Sequence, residues 1–392
     1  MKRLLLGTTA LIAAAAMAGT AQAADKIRLS VSGYGNFAAA YVDQDVPAGS
    51  SLREFGYAQE TEVHFKGTTT LDNGIVVGFR AELELDRDET SGTLGSADLI
   101  DEVYFHVTTG FGEIQVGSQD GIGDQFGVFS PIVSQTSNQG TRVNDSEIYF
   151  FQTNAGGKFR PVPLRTDLSL SDDNLKMIYM TPRLAGFQLG VSYMPEPTKG
   201  YSGFSDRRDN ESEQGDILEA GVNYNGKFDM VSLKAYAAYV TGSSENGTQD
   251  DLEDWGAGVQ VKFAFESFDL AIGGSYRDAN AGVTSTTSSD NLSVSAVDDN
   301  IDSEIWDAGV VVSSGPWSLG ANYITGETAD AGTNLEGTAW EVDLGYAMGP
   351  GINLTLGYQN WNYERDSGTF STVSGTDEAD ADVVYLEFAF ST

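Results

Sequence analysis

Val103-Tyr104-Phe105-His106-Val107 and Glu113-Ile114-Gln115-Val116-Gly117-Ser118-Gln119 flank the short element Thr109-Gly110-Phe111-Gly112. Apolar and polar residues take turns on both sides, a period of two that gives a strand one apolar and one polar face. The glycines between them suit a tight reversal. The stretch reads as a β-hairpin, and its rhythm recurs in Val63-His64-Phe65-Lys66 and in Phe79-Arg80-Ala81-Glu82-Leu83-Glu84-Leu85. No long segment shows a 3.6-residue period.

The connections come in two sizes. Seven are short: Leu71–Gly74, Thr109–Gly112, Pro182–Gly186, Asn225–Lys227, Glu266–Ser267, Ser314–Pro316 and Gly349–Gly351. Their Asn-Gly and Gly-Pro steps are hairpin chemistry. Eight are long and rich in Asp, Ser, Gly, Asn and Thr: 43–56, 87–97, 119–173, 196–215, 242–250, 280–300, 327–335 and 365–379. Long and short alternate strictly, so fifteen connections imply sixteen strands. A β-sandwich gives no such sorting by length. A transmembrane barrel does: short periplasmic turns, longer outer loops and an even strand number. Closure also removes exposed edges and satisfies every backbone group in lipid. The expected fold is therefore all-β, a transmembrane antiparallel β-barrel of sixteen strands with its apolar side chains turned outward. In the last strand Val384, Leu386, Phe388 and Phe390 share one face, and the smaller, more polar Val383, Tyr385, Glu387 and Ala389 share the other. Tyr34, Tyr104, Tyr179, Tyr193, Tyr346 and Trp361 lie near expected strand ends and suit interfacial girdles.

Residues 1–23 read as a secretory signal. Lys2 and Arg3 form the charged head, an apolar run follows to Ala18, and Ala21-Gln22-Ala23 offers a cleavage site. The run is too short for a spanning helix, which needs about 20 residues. Residues 24–392 then form a single barrel domain. Of 392 residues none is cysteine and two are histidine, with a net charge of −35. Disulfides, Cys-ligated metal and thiol catalysis are excluded, and so is nucleic-acid binding, which needs basic residues to neutralise phosphates. There is no G-x-S-x-G, H-E-x-x-H or P-loop motif, so no enzyme is expected.

The chain resembles the general porins of Gram-negative outer membranes. The resemblance rests on Ser30-Val31-Ser32-Gly33-Tyr34-Gly35, on the hairpin quoted above, and on Asn174 to Pro182 continuing through Gly186-Phe187 to Tyr193. It implies an outer-membrane location after signal cleavage, contact with outer-membrane lipid, a homotrimer, and passive diffusion of ions and small hydrophilic solutes. It also implies that the third loop, 119–173, folds into the pore as a constriction. Length alone singles that loop out, since loops beyond about 12–15 residues are usually functional. Ser118 and Ile178 stand where the family often has arginine, which argues against the usual arginine cluster on the wall. Ser391 and Thr392 follow Phe390, where the family usually ends in phenylalanine.

Pore width and lining charge set selectivity in such channels. Alternation turns Glu62, His64 and Lys66 of one strand, and Arg80, Glu82 and Glu84 of the next, toward the lumen; Arg28 and Lys176 are further wall bases. The constriction loop offers Asp120, Asp124, Asp145 and Glu147 against Arg142, Lys158, Arg160 and Arg165. A transverse field between loop acids and wall bases is the family expectation. The acidic balance favours cations, weakly, because charge on outer loops is screened over about 8 Å at physiological salt. No cofactor is expected. The acidic loops Asp206 to Asp216, Asp250 to Asp254 and Asp298 to Asp302 are candidate Ca²⁺ ligands, without the EF-hand spacing. Two alternatives stand beside the diffusion pore. One is a channel selective for a sugar or a cationic nutrient, with Phe126, Phe129, Tyr149, Phe150 and Phe151 as an apolar slide. The other is a plugged structural or adhesive barrel.

Overall fold

The computed structural model describes residues 26–85, 100–133, 149–155, 157–162, 164–196, 214–244, 251–280, 302–330 and 333–392. The strands are, in order, β1 (Arg28–Gln44), β2 (Phe55–Thr70), β3 (Val76–Glu84), β4 (Val103–Thr109), β5 (Gly112–Gln119), β6 (Asn174–Met180), β7 (Phe187–Met194) and β8 (Gln214–Phe228). Then follow β9 (Val231–Ser244), β10 (Leu252–Ala264), β11 (Asp269–Ala279), β12 (Asp302–Ser314), β13 (Trp317–Asp330), β14 (Thr333–Gly349), β15 (Ile352–Arg365) and β16 (Glu378–Ser391). Each pairs antiparallel with its chain neighbours, and β1 pairs with β16, so the sixteen strands close into a barrel. A four-residue helix, α1 (Ile122–Gln125), follows β5.

Period two becomes an inside-out burial pattern. On β16, Val384, Leu386 and Phe388 are 46%, 49% and 40% exposed, whereas Val383, Tyr385 and Glu387 are 0%, 1% and 0% exposed. Lipid takes the place that a core has in a soluble sheet. Two levels of paired aromatic rings bound the outward apolar band. Near the short turns Phe187–Tyr224, Phe265–Phe268 and Trp317–Tyr346 each lie 4.6 Å apart. Toward the long loops stand Trp255–Tyr276, Trp306–Tyr323 and Trp340–Tyr358 at 5.1, 5.3 and 5.0 Å. Such girdles sit at the membrane interfaces of barrels.

The structure corrects the sequence reading in two places. Tyr34, Tyr104 and Trp361 face the lumen rather than a girdle: the first two line an internal cavity and Trp361 is 2% exposed inside the barrel. Strand parity decides this, and parity shifts with a one-residue error in register. The long loop expected over 327–335 shrinks, because β13 runs to Asp330, β14 starts at Thr333, and these two residues pair directly. The two residues after Phe390 join the barrel seam. Ser391 pairs with Tyr34, Thr392 donates its backbone N–H to the Gly33 carbonyl at 3.0 Å, and its Oγ1 accepts the Gly33 N–H at 3.0 Å.

The third loop folds inward, and its described parts pack on the barrel wall in two apolar clusters. Ile122, Phe126, Phe129 and Leu168 sit against Ile178, Met194, Tyr236 and Leu252. Tyr149, Phe151, Phe159 and Val162 sit against Ile305, Ile324, Trp361 and Tyr363. Wall glycines make room for the first contact. A Cβ at Gly190 would press on Ile122 and Phe126, and one at Gly258 would clash with the Val128 carbonyl.

Candidate functional site

Between the first part of the inward loop, the wall formed by β1 to β4 and the lumen faces of β9 to β13 lies a cavity of about 960 Å³. Tyr34, Glu62, His64, Arg80 and Glu82 reach it from β1, β2 and β3, because lumen-facing positions recur every second residue and stand side by side across strands. Tyr34 is paired with Glu62, Glu62 with Glu84, His64 with Glu82, and Lys66 with Arg80. Glu102 completes this wall, and Asp120, Asp124 and the segment Phe129–Val133 face it from the loop.

The wall acids are tied together by polar contacts. The Tyr34 hydroxyl lies 2.7 Å from both Glu60 Oε1 and Glu62 Oε1, one proton serving two acceptors. His64 Nε2 is 2.7 Å from Glu62 Oε2 and 3.4 Å from Glu82 Oε2. Arg80 Nε touches Glu82 Oε1 and stands 3.8 Å from Glu102 Oε2. Glu102 also spans the gap to the loop, accepting the Asp120 N–H at 3.0 Å. Burial, with Asp173, Glu62, Glu84 and Glu102 nearby, pushes the Asp101 carboxyl up to about 9.

The loop acids crowd one another. Asp120, Asp124 and Asp172 bring carboxylate oxygens within 4.8 Å. Burial raises all three. Asp172 and Glu102 add to the rise at Asp120, and Asp167 to that at Asp124, which reaches about 7. Asp172 accepts the Gly121 N–H at 3.1 Å. This set offers oxygen alone, the chemistry of a hard cation such as Ca²⁺.

A second group of polar side chains holds the loop in place. Glu219, 1% exposed on β8, accepts the Gly123 N–H at 2.9 Å and the Ser171 hydroxyl. Asp307 on β12 accepts the Ser130 N–H at 3.1 Å, the Thr166 hydroxyl at 2.8 Å and the Ser275 hydroxyl. Asn322 donates to Ser130 Oγ and to the Pro131 carbonyl at 3.1 and 2.8 Å. Beneath them Arg277 makes a two-pronged pair with Asp254, Nε to Oδ1 at 3.1 Å and Nη2 to Oδ2 at 2.7 Å. Within the loop Arg165 pairs with Asp167 in the same way, at 3.0 and 2.6 Å. Burial pushes Asp167 up, but the Arg165 guanidinium outweighs it and holds the carboxyl below its usual value.

Of the residues named from sequence, Glu62, Arg80, Glu82, Asp120 and Asp124 line the cavity. Glu84, Lys66, Arg28 and Lys176 do not. Glu84 is half-buried, while Lys66 and Arg28 are exposed nearer the short turns. Lys176 is 3% exposed and donates through Nζ to the Gln119 and Ser171 carbonyls, clasping both ends of the loop. Arg142, Asp145 and Glu147 lie outside the described residues. Arg165 is taken by Asp167 and Arg160 stacks over the Tyr149 ring at 4.2 Å; neither lines the cavity.

On the wall, Glu62, Glu82 and Glu102 face the loop acids Asp120 and Asp124, and Arg80 is engaged by Glu82. Two wall bases, Lys234 on β9 and Lys262 on β10, line the same cavity, and Lys262 pairs with Asp269 at 2.7 Å. Ile178, at a position where arginine was the family habit, is 0% exposed and packs among Ile122 and Phe126. Of the aromatic slide, Phe129 lines the cavity, whereas Phe126, Tyr149, Phe150 and Phe151 are 3%, 5%, 8% and 0% exposed, do not line it and pack in the apolar clusters. In the acidic loops proposed for Ca²⁺, Asp254 pairs with Arg277 and Asp251 accepts the Ser244 N–H at 2.9 Å. The sequence reading missed Glu102 and the anchors Glu219 and Asp307. Glu102 precedes its strand and has the look of one more loop acid. Glu219 and Asp307 do alternate with apolar neighbours, which marks them as lumen-facing but not as anchors.

No curated protein matches the chain in sequence. Solved structures match it in fold. The anion-selective porin from Comamonas acidovorans has a TM-score of 0.57 at 13% identity, over 93% of this chain and 100% of that one. OmpT of Vibrio cholerae in its trimer form has a TM-score of 0.56 at 12% identity, over 94% and 100%. The outer membrane channel DcaP of Acinetobacter baumannii has a TM-score of 0.56 at 15% identity, over 94% and 98%. The family model for the Gram-negative porin matches residues 8–366, from before β1 to the end of β15. A match that runs through fifteen consecutive strands, rather than through one hairpin, decides the assignment: the chain belongs to the Gram-negative porin family.

Proposed function

We propose that this outer-membrane channel is a water-filled, cation-preferring diffusion pore for ions and small hydrophilic solutes, and that the cavity between wall and loop is its constriction. One observation carries the reading: acids outnumber bases around the cavity, Glu62, Glu82, Asp101, Glu102, Asp120, Asp124 and Asp269 against Arg80, Lys234 and Lys262. An excess of one sign of charge in a narrow, low-dielectric passage raises the local concentration of counter-ions. A similar fold belongs to a porin described as anion-selective, so ion preference follows the lining rather than the barrel. Assembly as a homotrimer, a form described for the Vibrio cholerae protein, completes the proposal.

Planar-bilayer recording from the refolded mature chain tests it. The expected result is current steps in groups of three and a reversal potential on the cation side of a KCl gradient. The double variant Glu62→Gln, Asp124→Asn should lower the K⁺/Cl⁻ permeability ratio at least twofold. An anion-side reversal potential sinks the cation preference. Silent bilayers from correctly folded protein sink the pore and favour a plugged barrel.

A further inference from the structure

Besides the loop acids, one other described group brings three ligand atoms within 4.8 Å of one another, and it contains an imidazole. We propose that Glu62, His64 and Glu82 form a binding site for a first-row divalent transition ion such as Zn²⁺, and that an ion held there narrows the passage.

The backbone supplies the platform. Glu62 and His64 are two residues apart on β2, so they share a face, and Glu82 on β3 is the direct cross-strand partner of His64. Cβ atoms of such partners lie about 4.5–5.5 Å apart. Three ligands on one paired ladder need no loop to move. A tetrahedral ion with bonds of about 2.1 Å sets its ligands roughly 3.4 Å apart. His64 Nε2 and Glu82 Oε2 stand at 3.4 Å, and the 2.7 Å contact of His64 with Glu62 must open modestly as both turn to the ion. The other oxygen of Glu62 is already held by the Tyr34 hydroxyl, an outer contact of the kind that orients metal-binding carboxylates. Glu82 is 4% exposed, and its Oε1 accepts no well-formed hydrogen bond although it touches Arg80.

The imidazole sets the selectivity. A nitrogen donor beside two carboxylates suits zinc, nickel or copper, whereas calcium and magnesium prefer oxygen alone. The group faces the cavity, so water completes the coordination and the ion has a way in. Glu60 and Glu102 nearby outweigh the single charge of Arg80 and favour a dication. Without an ion, the same side chains form a hydrogen-bonded triad, the alternative that the test separates.

The site stands apart from the channel reading; the narrowing rests on it. Protein refolded without a polyhistidine tag and treated with chelator is titrated with ZnCl₂ by calorimetry in detergent. The expected result is one tight Zn²⁺ per chain, with MgCl₂ giving no binding at the same concentrations. Only two histidines exist in the chain. His64→Gln should weaken binding at least tenfold and Glu62→Gln several-fold, with His106→Gln unchanged; gel mobility of the folded barrel checks each variant. Wild-type affinity in His64→Gln, or equal loss in His106→Gln, overturns the site. In bilayers Zn²⁺ should reduce the wild-type current and spare His64→Gln. Binding without any change in current overturns the narrowing alone, and absence of current before zinc is added overturns the channel reading instead.

Discussion

The two sides of the lumen use the same side chains for opposite ends. On the side of β8 to β12, Glu219, Asp254, Arg277 and Asp307 are at most 3% exposed, and their hydrogen-bond partners hold the inward loop or one another. On the side of β1 to β4, Glu62, His64, Arg80 and Glu102 face the cavity of about 960 Å³ and leave acidic charge toward it. An acid that accepts two or three hydrogen bonds from buried donors is an anchor. An acid that looks into water across from another acid is a filter element. The difference lies in the partners, not in the residue type.

The comparison breaks if the anchors can be removed without cost. Asp254→Ala leaves Arg277 buried with its two-pronged partner gone, a change that costs on the order of 3–5 kcal/mol. Denaturant unfolding of the barrel should show the largest loss of any single change considered, while Glu62→Gln on the other side should leave stability nearly untouched. Equal effects would erase the distinction. Glu219→Ala orphans the Gly123 N–H and the Ser171 hydroxyl, at a cost of about 1–3 kcal/mol. Its single-channel current should become noisier as the loop end loosens, which Glu102→Gln should not reproduce.

Acidity sharpens the comparison further. Asp124 is raised from 3.8 to about 7 in the folded chain, chiefly by burial. A carboxyl that holds its proton more tightly when folded stabilises the fold at low pH, and that contribution is lost as pH climbs from about 3.8 through about 7. Asp124→Asn should therefore gain stability over the parent at pH 8 and show little difference at pH 4. The cation preference should run the other way, rising in the parent between pH 6 and pH 8 as Asp124 ionises, with a flatter profile in the variant. A preference that falls over this range would mean that Asp124 does not control it. The smallest expected effect lies at the seam, where removing Thr392 deletes three hydrogen bonds with Gly33, whose solvent exposure lets water replace them and keeps the total loss to about 1 kcal/mol. Slower refolding with unchanged selectivity would place the terminus outside the filter altogether.

Much of the barrel was legible before any coordinates. Alternation marked all sixteen strands, because lipid on one face and water or loop on the other force a period of two into nearly every segment. Strand ends were less legible. Between 327 and 335 the sequence turns polar, yet β13 and β14 stay paired above the girdle, where both faces meet polar surroundings and the alternation signal fades. Tyr34 and Trp361 were misplaced for a related reason: a tyrosine or tryptophan suits an interface as well as a lumen, and only the register says which face it takes.

The sequence by itself determined the closed sheet, its strand count and the one loop long enough to turn inward, since these follow from periodicity and spacing along the chain. Tertiary structure alone decided which acids became anchors and which stayed facing water. Glu219 lies 96 residues from the Gly123 N–H it accepts, and Asp307 lies 177 from that of Ser130. Burial and hydrogen-bond partners over such distances exist only once the barrel has closed and the loop has settled on its wall.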